Sequence, residues 1–317
     1  MKKFAVCMLA LCLVLSFGLL NAFAADNCEI AFSLKTVTND DFQKAIADSV
    51  QKEVEAKGCK FTLITAGTET AVSTQVNQVE DLITKGVTGI VLNPMDANAV
   101  IPALEKAKAA NIPVVLVDST IASGHEDLYV TYIGTDNFAA AKLGGQTLAK
   151  ALNGEGKVLI VRGANGNSVG NARVDGFKEG IKDSKLEIVG EQPGDWSNDT
   201  AMQVTENMLQ ANPKVDAIFT ASDVMLNGIL TALDDAGLKD VKILSFDGSK
   251  AGVDLIESGK VFGDMAQFPQ VMGQKAVDTL LGVKDGSVDA AKIDKFIDSG
   301  TECYSKDNLD EAKKSAF

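Results

Sequence analysis

The chain has 317 residues with 30 basic and 43 acidic side chains, so its formal net charge is −13 at pH 7. This charge disfavours nucleic acid as a partner, because affinity for the phosphate backbone comes mainly from lysine and arginine. The length favours two domains, and the 46% hydrophobic content is typical of a globular protein.

The first feature along the chain is an export signal. Two lysines precede an apolar run over 4–20, and the small residues Ala22 and Ala24 fill positions −3 and −1 of a cleavage site. The alternative is a membrane anchor, but the run is slightly shorter than the ~20 apolar residues of a span. The sequence therefore predicts cleavage near Ala24 and export to the periplasm, with residues 1–24 removed.

Past this segment, short β-branched runs alternate with amphipathic helix patterns. Strands are predicted at 29–33, 60–65, 89–92, 113–117, 130–133, 157–161, 187–189, 217–221, 242–246 and 261–266. Helices are predicted at 41–57, 97–110, 137–152, 168–182, 199–210, 224–236 and 269–281. Strands that alternate with helices indicate parallel βαβ units, so the predicted fold class is α/β with two similar lobes.

Three cysteines follow the predicted cleavage site. Cys28 and Cys59 each precede or open a predicted strand, and adjacent parallel strands would place them near each other. A disulfide there suits an oxidising compartment, and buried free thiols fit the sequence equally well. The spacings, together with the single histidine, His125, match no metal site.

Polar residues stand where four predicted strands end: Asp118, Ser222, Asp247 and Gln267. In parallel α/β sheets, ligands bind in the crevice beyond the carboxyl ends of the strands. These residues predict a cleft with neutral and acidic hydrogen-bonding groups and no catalytic constellation.

Within the loop over 163–170, residues 166–170 fit the G-x-S-x-G pattern of a nucleophile elbow. A hydrolase also needs Asp and then His after the serine, whereas His125 precedes Ser168. The loop also lacks the lysine of a P-loop. Ser168 or Asn167 is instead expected to line the cleft.

Three further residues suit an uncharged polyol, whose hydroxyls need fixed partners and whose C–H faces favour aromatic rings. Phe42 opens the first helix, Trp196 lies in a polar turn, and Arg173 lies one turn into a helix. Each has a structural alternative: a hydrophobic staple for Phe42, core packing for Trp196 and a solvated helix position for Arg173. Asp247 also has a structural alternative to ligand binding, as the N-cap of a helix over 249–258.

The order of these features along the chain is more specific than any one of them. The series is NDDF at 39–42, NP at 93–94, Asp118, NARVDGF at 171–177, QPGDW at 192–196, ASD at 221–223, SFDG at 245–248 and AQFP at 266–269. Over essentially the whole mature chain this series resembles periplasmic sugar-binding proteins of the ribose- and galactose-binding type, the substrate-binding components of ABC transporters.

The resemblance implies a periplasmic binding protein type I fold: two Rossmann-like lobes with parallel sheets, joined by a three-segment hinge. One lobe would comprise 25–134 plus 268–296, and the other 135–267 plus 297–317. The crossings would fall near 133–137, 267 and 296–300.

The resemblance also implies roles in a hinged trap for a monosaccharide. Phe42 and Trp196 would sandwich the sugar ring, and Asp223 would cap the helix that follows it. Hydroxyls and the ring oxygen would be bound by Asp40, Asp118, Arg173, Ser222, Asp247 and Gln267. No cofactor, metal or catalytic residue is implied.

The chain departs from the ribose-binding pattern at three positions. Ser119 stands where ribose binders carry arginine, Gln43 where they carry a second phenylalanine, and Ser222 where they carry asparagine. Loss of one cation and one ring predicts room for a ligand that is larger or more hydroxylated than ribose.

The predicted function is therefore that of a secreted, monomeric solute-binding protein, not an enzyme. It would deliver a monosaccharide or polyol to an ABC permease, with a chemoreceptor as a further candidate partner. Alternatives are an autoinducer-2-like signal or a nucleoside as ligand. A regulator effector core is disfavoured, because the export signal occupies the end where a DNA-binding module would lie.

Overall fold

The computed structural model describes residues 28–38, 40–68 and 70–317, and the predicted signal with its cleavage near Ala24 lies outside the described residues. Within these ranges the chain forms two six-stranded sheets flanked by helices. The prediction of a two-lobed α/β fold is confirmed.

The first sheet has the strand order β11-β5-β4-β3-β1-β2, and all its strand pairs are parallel. Its strands are β1 Glu29–Leu34, β2 Lys60–Thr65, β3 Gly89–Leu92, β4 Val114–Val117, β5 Tyr132–Gly134 and β11 Phe296–Asp298.

The second sheet has the equivalent order β12-β10-β9-β8-β6-β7, in which only the edge strand β12 is antiparallel among the described pairs. Its strands are β6 Glu155–Arg162, β7 Lys185–Pro193, β8 Ala217–Thr220, β9 Lys242–Asp247, β10 Gly263–Ala266 and β12 Glu302–Tyr304.

Helices connect successive strands and cover both faces of each sheet, as right-handed βαβ crossovers require. They are α1 Asp41–Ala56, α2 Val72–Lys85, α3 Ile101–Ala109, α4 Asn137–Ala151, α5 Ser168–Ile181, α6 Asn198–Ala211, α7 Leu226–Asp235, α8 Lys250–Ser258, α9 Pro269–Asp285 and α10 Leu309–Ser315. None of the described helices is long and apolar enough to serve as a bilayer span.

Alternation along the strands assigns side chains to the two faces of a sheet. In β1, Ile30, Phe32 and Leu34 belong to one buried cluster and Ala31 belongs to the cluster on the opposite face. The second sheet likewise separates two clusters. Each lobe therefore has its own core, with a sheet between two helix layers.

The chain passes between the lobes at three places: after β5, after β10 and after β11. These segments contact one another, since Thr135 Oγ1 donates to the Gly300 carbonyl at 3.2 Å and Thr301 Oγ1 donates to the Ala266 carbonyl at 2.9 Å. Strand β11 pairs with β5, so the first sheet extends to Asp298. The short strands β11 and β12 were not predicted, because three residues are too few to reveal a period. Helices α2 and α10 were also missed.

The open question about the cysteines is answered by the structure, in which Cys28 and Cys59 form a disulfide. Glu29 pairs with Lys60 in the register of β1 and β2, so the residues before them face each other at the strand starts. The bond closes a loop of 31 residues around α1.

Replacing both half-cystines, Cys28→Ser with Cys59→Ser, should lower the free energy of unfolding by about 2–4 kcal/mol, because the unfolded chain regains the entropy of an open loop. Urea denaturation of the oxidised proteins measures this loss. Reductant should destabilise the unaltered protein to a similar degree and leave the variant unchanged. An unaltered protein that is insensitive to reductant would contradict the prediction.

Candidate functional site

A cavity lies between the carboxyl-terminal ends of the two sheets. Ten residues line it: Lys35, Asp40, Phe42, Gln43, Asp118, Val169, Arg173, Trp196, Ser222 and Asp247. Seven of the eight residues predicted from the sequence are among them. The eighth, Gln267, lies behind Asp247.

A larger depression around Lys239 and Lys306 lies at the opposite, amino-terminal edge of the second sheet, where this architecture does not bind ligands.

In the first lobe, Asp118 follows β4 and is the centre of a buried polar cluster. Its Oδ2 accepts hydrogen bonds from Asn93 Nδ2 at 2.9 Å, Gln43 Nε2 at 3.2 Å and Lys35 Nζ at 3.4 Å. Asp118 is 3% exposed, and a carboxylate so buried is stable only when it is paired and hydrogen-bonded. Its Oδ1 has no partner in the part of the chain that the structure describes and can accept from a ligand.

Lys35 is a site residue that the sequence analysis missed. It follows β1 directly, is 3% exposed, and also donates to Ser119 Oγ at 3.2 Å. The cleft therefore contains a cation next to Ser119, supplied by another strand. A charged residue at the end of an apolar strand was the available signal, the same one that identified Asp118.

In the second lobe, Asp247 is the last residue of β9, and each of its two carboxylate oxygens accepts two hydrogen bonds. Its Oδ1 accepts from Gln267 Nε2 at 2.7 Å and Arg173 Nη1 at 3.2 Å, and its Oδ2 accepts from Ser222 Oγ at 2.6 Å and the Asp223 amide at 3.2 Å. Burial raises the pKa of Asp247 to about 7, against the opposing effect of Arg173. Asp247 is not a helix cap, because Ser249 caps α8.

Arg173 is held from several sides rather than solvated. Its Nε donates to Asn137 Oδ1 at 2.8 Å, its Nη1 donates to the Ala221 carbonyl at 2.6 Å, and its guanidinium lies 3.8 Å from the centre of the Phe246 ring. These contacts fix the orientation of the planar cation at the cavity wall. The solvated alternative is excluded, since Arg173 is 2% exposed.

The prediction that Asp223 caps the helix after it is wrong: Ser222 accepts from the Val224 amide and caps that turn. Asp223 instead accepts from Ser245 Oγ at 2.5 Å and from the amide and hydroxyl of Ser249 at 2.9 and 2.6 Å. It therefore joins β9 to the start of α8, behind Asp247.

Asp264 of β10 completes a carboxyl pair with Asp223. Burial raises the pKa of Asp264 well above its usual range, and the negative charge of Asp223 raises it further. Burial raises the pKa of Asp223 as well, and its contact with Asp264 lowers it while raising the pKa of Asp264. Gly252 admits this pair, since a Cβ there would lie 2.5 Å from Asp223 Oδ2 and 2.6 Å from Asp264 Oδ2.

The two predicted aromatic residues line the cavity from different lobes. Phe42 lies in the first turn of α1, after Asp40, whose Oδ1 caps that helix by accepting from the Gln43 amide at 2.9 Å. Trp196 lies across Gly163, where a Cβ would meet Cζ2 of the indole at 2.0 Å. Only glycine at 163 allows the indole this position.

Backbone conformation at the site is unusual. Asp118, Asp195, Trp196 and Asp247 have φ angles of 62°, 53°, 55° and 125°, in the region that side chains with a Cβ seldom adopt. Each such residue costs on the order of 1–3 kcal/mol and persists only when its surroundings fix it. Strain of this kind is typical of functional sites.

The loop before α5 contacts the first lobe directly. Asn167 Nδ2 donates to Ser119 Oγ at 3.4 Å, and Ser168 Oγ accepts from the Thr120 amide at 3.1 Å. Asn167 and Ser168 thus join the lobes, while the neighbouring Val169 lines the cavity. The lobes are in contact across the cleft, so the structure represents a closed arrangement.

Removing the buried cation with Lys35→Met should lower the free energy of unfolding by roughly 3–5 kcal/mol, because Asp118 then stays buried without its counter-charge. Adding Asp118→Asn should restore much of the loss. The matched control is Lys44→Met, which removes an exposed pair with Asp48 and should cost far less stability, because exposed ion pairs contribute little. Urea denaturation compares them, and equal losses from the two lysine variants would contradict the prediction.

The raised pKa values predict that the protein loses stability as pH rises. Between the ordinary aspartate value near 4 and about 7 or higher, the folded state binds more protons than the unfolded state, so the free energy of unfolding falls with rising pH. Thermal unfolding should occur at a higher temperature near pH ~5.5 than near pH ~8.5, a window that the raised values set.

Asp264→Asn cannot ionise and should reduce this difference in unfolding temperature by at least about 2–4 °C, the shift that ~1 kcal/mol produces in a domain of this size. The exposed Asp285, whose pKa is lowered by its contact with Ser287, offers the control Asp285→Asn, which should leave the difference unchanged. Retention of the full difference in Asp264→Asn would refute the assignment.

Comparison with known proteins agrees with the fold. The ribose import binding protein of Escherichia coli is 32% identical over 292 residues, which cover 92% of this chain and 96% of that protein. The D-allose-binding periplasmic protein of the same organism is 31% identical over 296 residues, which cover 88% and 92%.

A solved structure of an ABC transporter solute-binding protein from Agrobacterium vitis, with bound D-fucose, matches with a TM-score of 0.86 at 32% identity, over 91% of this chain and 100% of that one. The family model for the periplasmic binding protein domain matches residues 30–287. The chain therefore belongs to the periplasmic binding protein family.

Proposed function

We propose that this protein is an exported solute-binding protein, not an enzyme, that captures a monosaccharide or related polyol in the cleft and delivers it to an ABC permease. The observation that carries this proposal is the pair of buried carboxylates, Asp118 and Asp247, each fixed by its own cation at the edge of one cavity. Carboxylates and cations make the strong, charge-assisted hydrogen bonds that hydroxyl groups need in a desolvated site. The relatives named for ribose, allose and D-fucose support the same ligand class.

In this proposal Phe42 and Trp196 stack on the ring, and the polar residues bind its hydroxyls. Asp118 Oδ1 and Arg173 Nη2 have no hydrogen-bond partner among the described residues, so they can bind a ligand without breaking protein contacts. Asp40 and Ser222 line the cavity beside them. Gln267 acts through Asp247, which it orients.

The proposed lobes are 25–134 with 268–296, and 135–267 with 297–317, where strand β11 extends the first lobe to Asp298. Ligand groups come from both lobes, so only the closed form can satisfy a whole sugar. A ligand shifts an open–closed equilibrium only by such a difference in affinity, and hinge closure is the expected motion.

Isothermal calorimetry with D-ribose, D-allose, D-fucose, an alditol and adenosine tests the ligand class. A monosaccharide should bind. A hexose should bind more tightly than ribose, because Gln43 and Ser119 replace the phenylalanine and arginine of ribose binders and should leave more room.

Trp196→Ala should weaken binding of the tightest sugar by about 1–3 kcal/mol, a magnitude scaled from the loss of a base–aromatic stack. Solution scattering should show a smaller radius of gyration with that sugar.

The control variant is Phe138→Ala, which removes an aromatic ring that is 43% exposed and lies outside the cavity lining, and which should leave affinity unchanged. Binding of adenosine alone, or conversion of the recovered sugar to a product, would overturn the proposal. Unchanged affinity in Trp196→Ala would remove the stacking role.

A further inference from the structure

The last helix of the chain is anchored in the second lobe. Helix α10 packs on α8, and Ala312 and Ala316 contact the core of that lobe. Lys313 Nζ donates to Glu257 Oε1 of α8 at 2.6 Å. The segment therefore moves with the second lobe.

Phe317 follows this helix and contacts both lobes. Its carbonyl accepts from the Lys250 amide at 3.1 Å, at the start of α8, so its backbone is bound to the second lobe. Its side chain instead joins the apolar cluster of the first lobe, with its ring centre 5.6 Å from that of Phe42 and the ring planes at 64°. This is an edge-to-face contact, the favoured geometry for aromatic pairs.

The ring that Phe317 contacts is itself part of the cavity wall. Phe42 is 5% exposed and lies in the first turn of α1, where its rotation is limited by whatever packs beside it. Phe317 is its aromatic partner in the described part of the chain. Because that partner is carried by the other lobe, the contact exists only while the lobes are closed.

We propose that Phe317 is a positioning residue for Phe42: it holds the ring in its stacking orientation and resists opening of the cleft. This inference rests on the proposed function, which assigns stacking on the sugar to Phe42. Since Phe317 acts on the closed form, its loss should raise the dissociation rate constant of the sugar by about 3- to 10-fold, as expected for one aromatic pair, with the association rate constant nearly unchanged.

The test is stopped-flow measurement of Trp196 fluorescence with the tightest of D-ribose, D-allose and D-fucose. Phe317→Leu keeps apolar bulk and should show the faster dissociation, whereas Phe317→Tyr keeps the ring and should restore the original rate. Lys313→Ala disturbs only the exposed pair that anchors α10 and should change the rate by less than about twofold. An unchanged dissociation rate in Phe317→Leu would overturn the proposal.

A second measurement uses the same sugar at saturation, where the lobes are closed. Phe42→Leu, Phe317→Leu and the double variant form a thermodynamic cycle in urea denaturation. The double variant should lose less stability than the two single losses together, and strict additivity would also overturn the proposal. If none of the three sugars binds the unaltered protein, the proposed function fails, and this inference, which rests on it, fails with it.

Discussion

Two buried carboxylates determine most of what surrounds them. Asp118 and Asp247 end equivalent strands, the fourth along the chain in each lobe, and a buried charge without partners would cost more than the fold can supply. Each therefore has a dedicated cation, Lys35 in one lobe and Arg173 in the other, within a set of amide, hydroxyl or backbone donors. The polar walls of the cavity follow from this requirement.

The two lobes meet that requirement differently. The first pairs its carboxylate with a lysine at a strand end, while the second uses a guanidinium held by its aromatic neighbour and two acceptors. The second lobe also has the carboxyl pair of Asp223 and Asp264 behind the site. Asp223 accepts hydrogen bonds from Ser249 and so organises the start of α8. The architecture repeats, whereas the electrostatics are particular to each lobe.

Contacts between the lobes complete the site. The loop before α5 reaches Ser119 and Thr120 through side chains, and Phe317 reaches Phe42 from the opposite lobe. The positive φ angles of Asp118, Trp196 and Asp247 persist only because the packed structure around each residue fixes them. The closed cavity is thus a property of both lobes together.

Local pattern in the sequence determined the α/β class, most element positions and seven of the cavity-lining residues, because hydrophobic period and strand-end polarity are encoded by neighbours along the chain. Lys35 and the contact of Phe317 with Phe42 were decided only by tertiary structure. Lys35 meets Asp118 across 83 positions, and α10 lies far from α1 in sequence. The same holds for the Cys28–Cys59 bond, which the sequence left open, and for the raised pKa of Asp264. Each depends on distance and burial in three dimensions, and these arise only when separate strands are brought side by side.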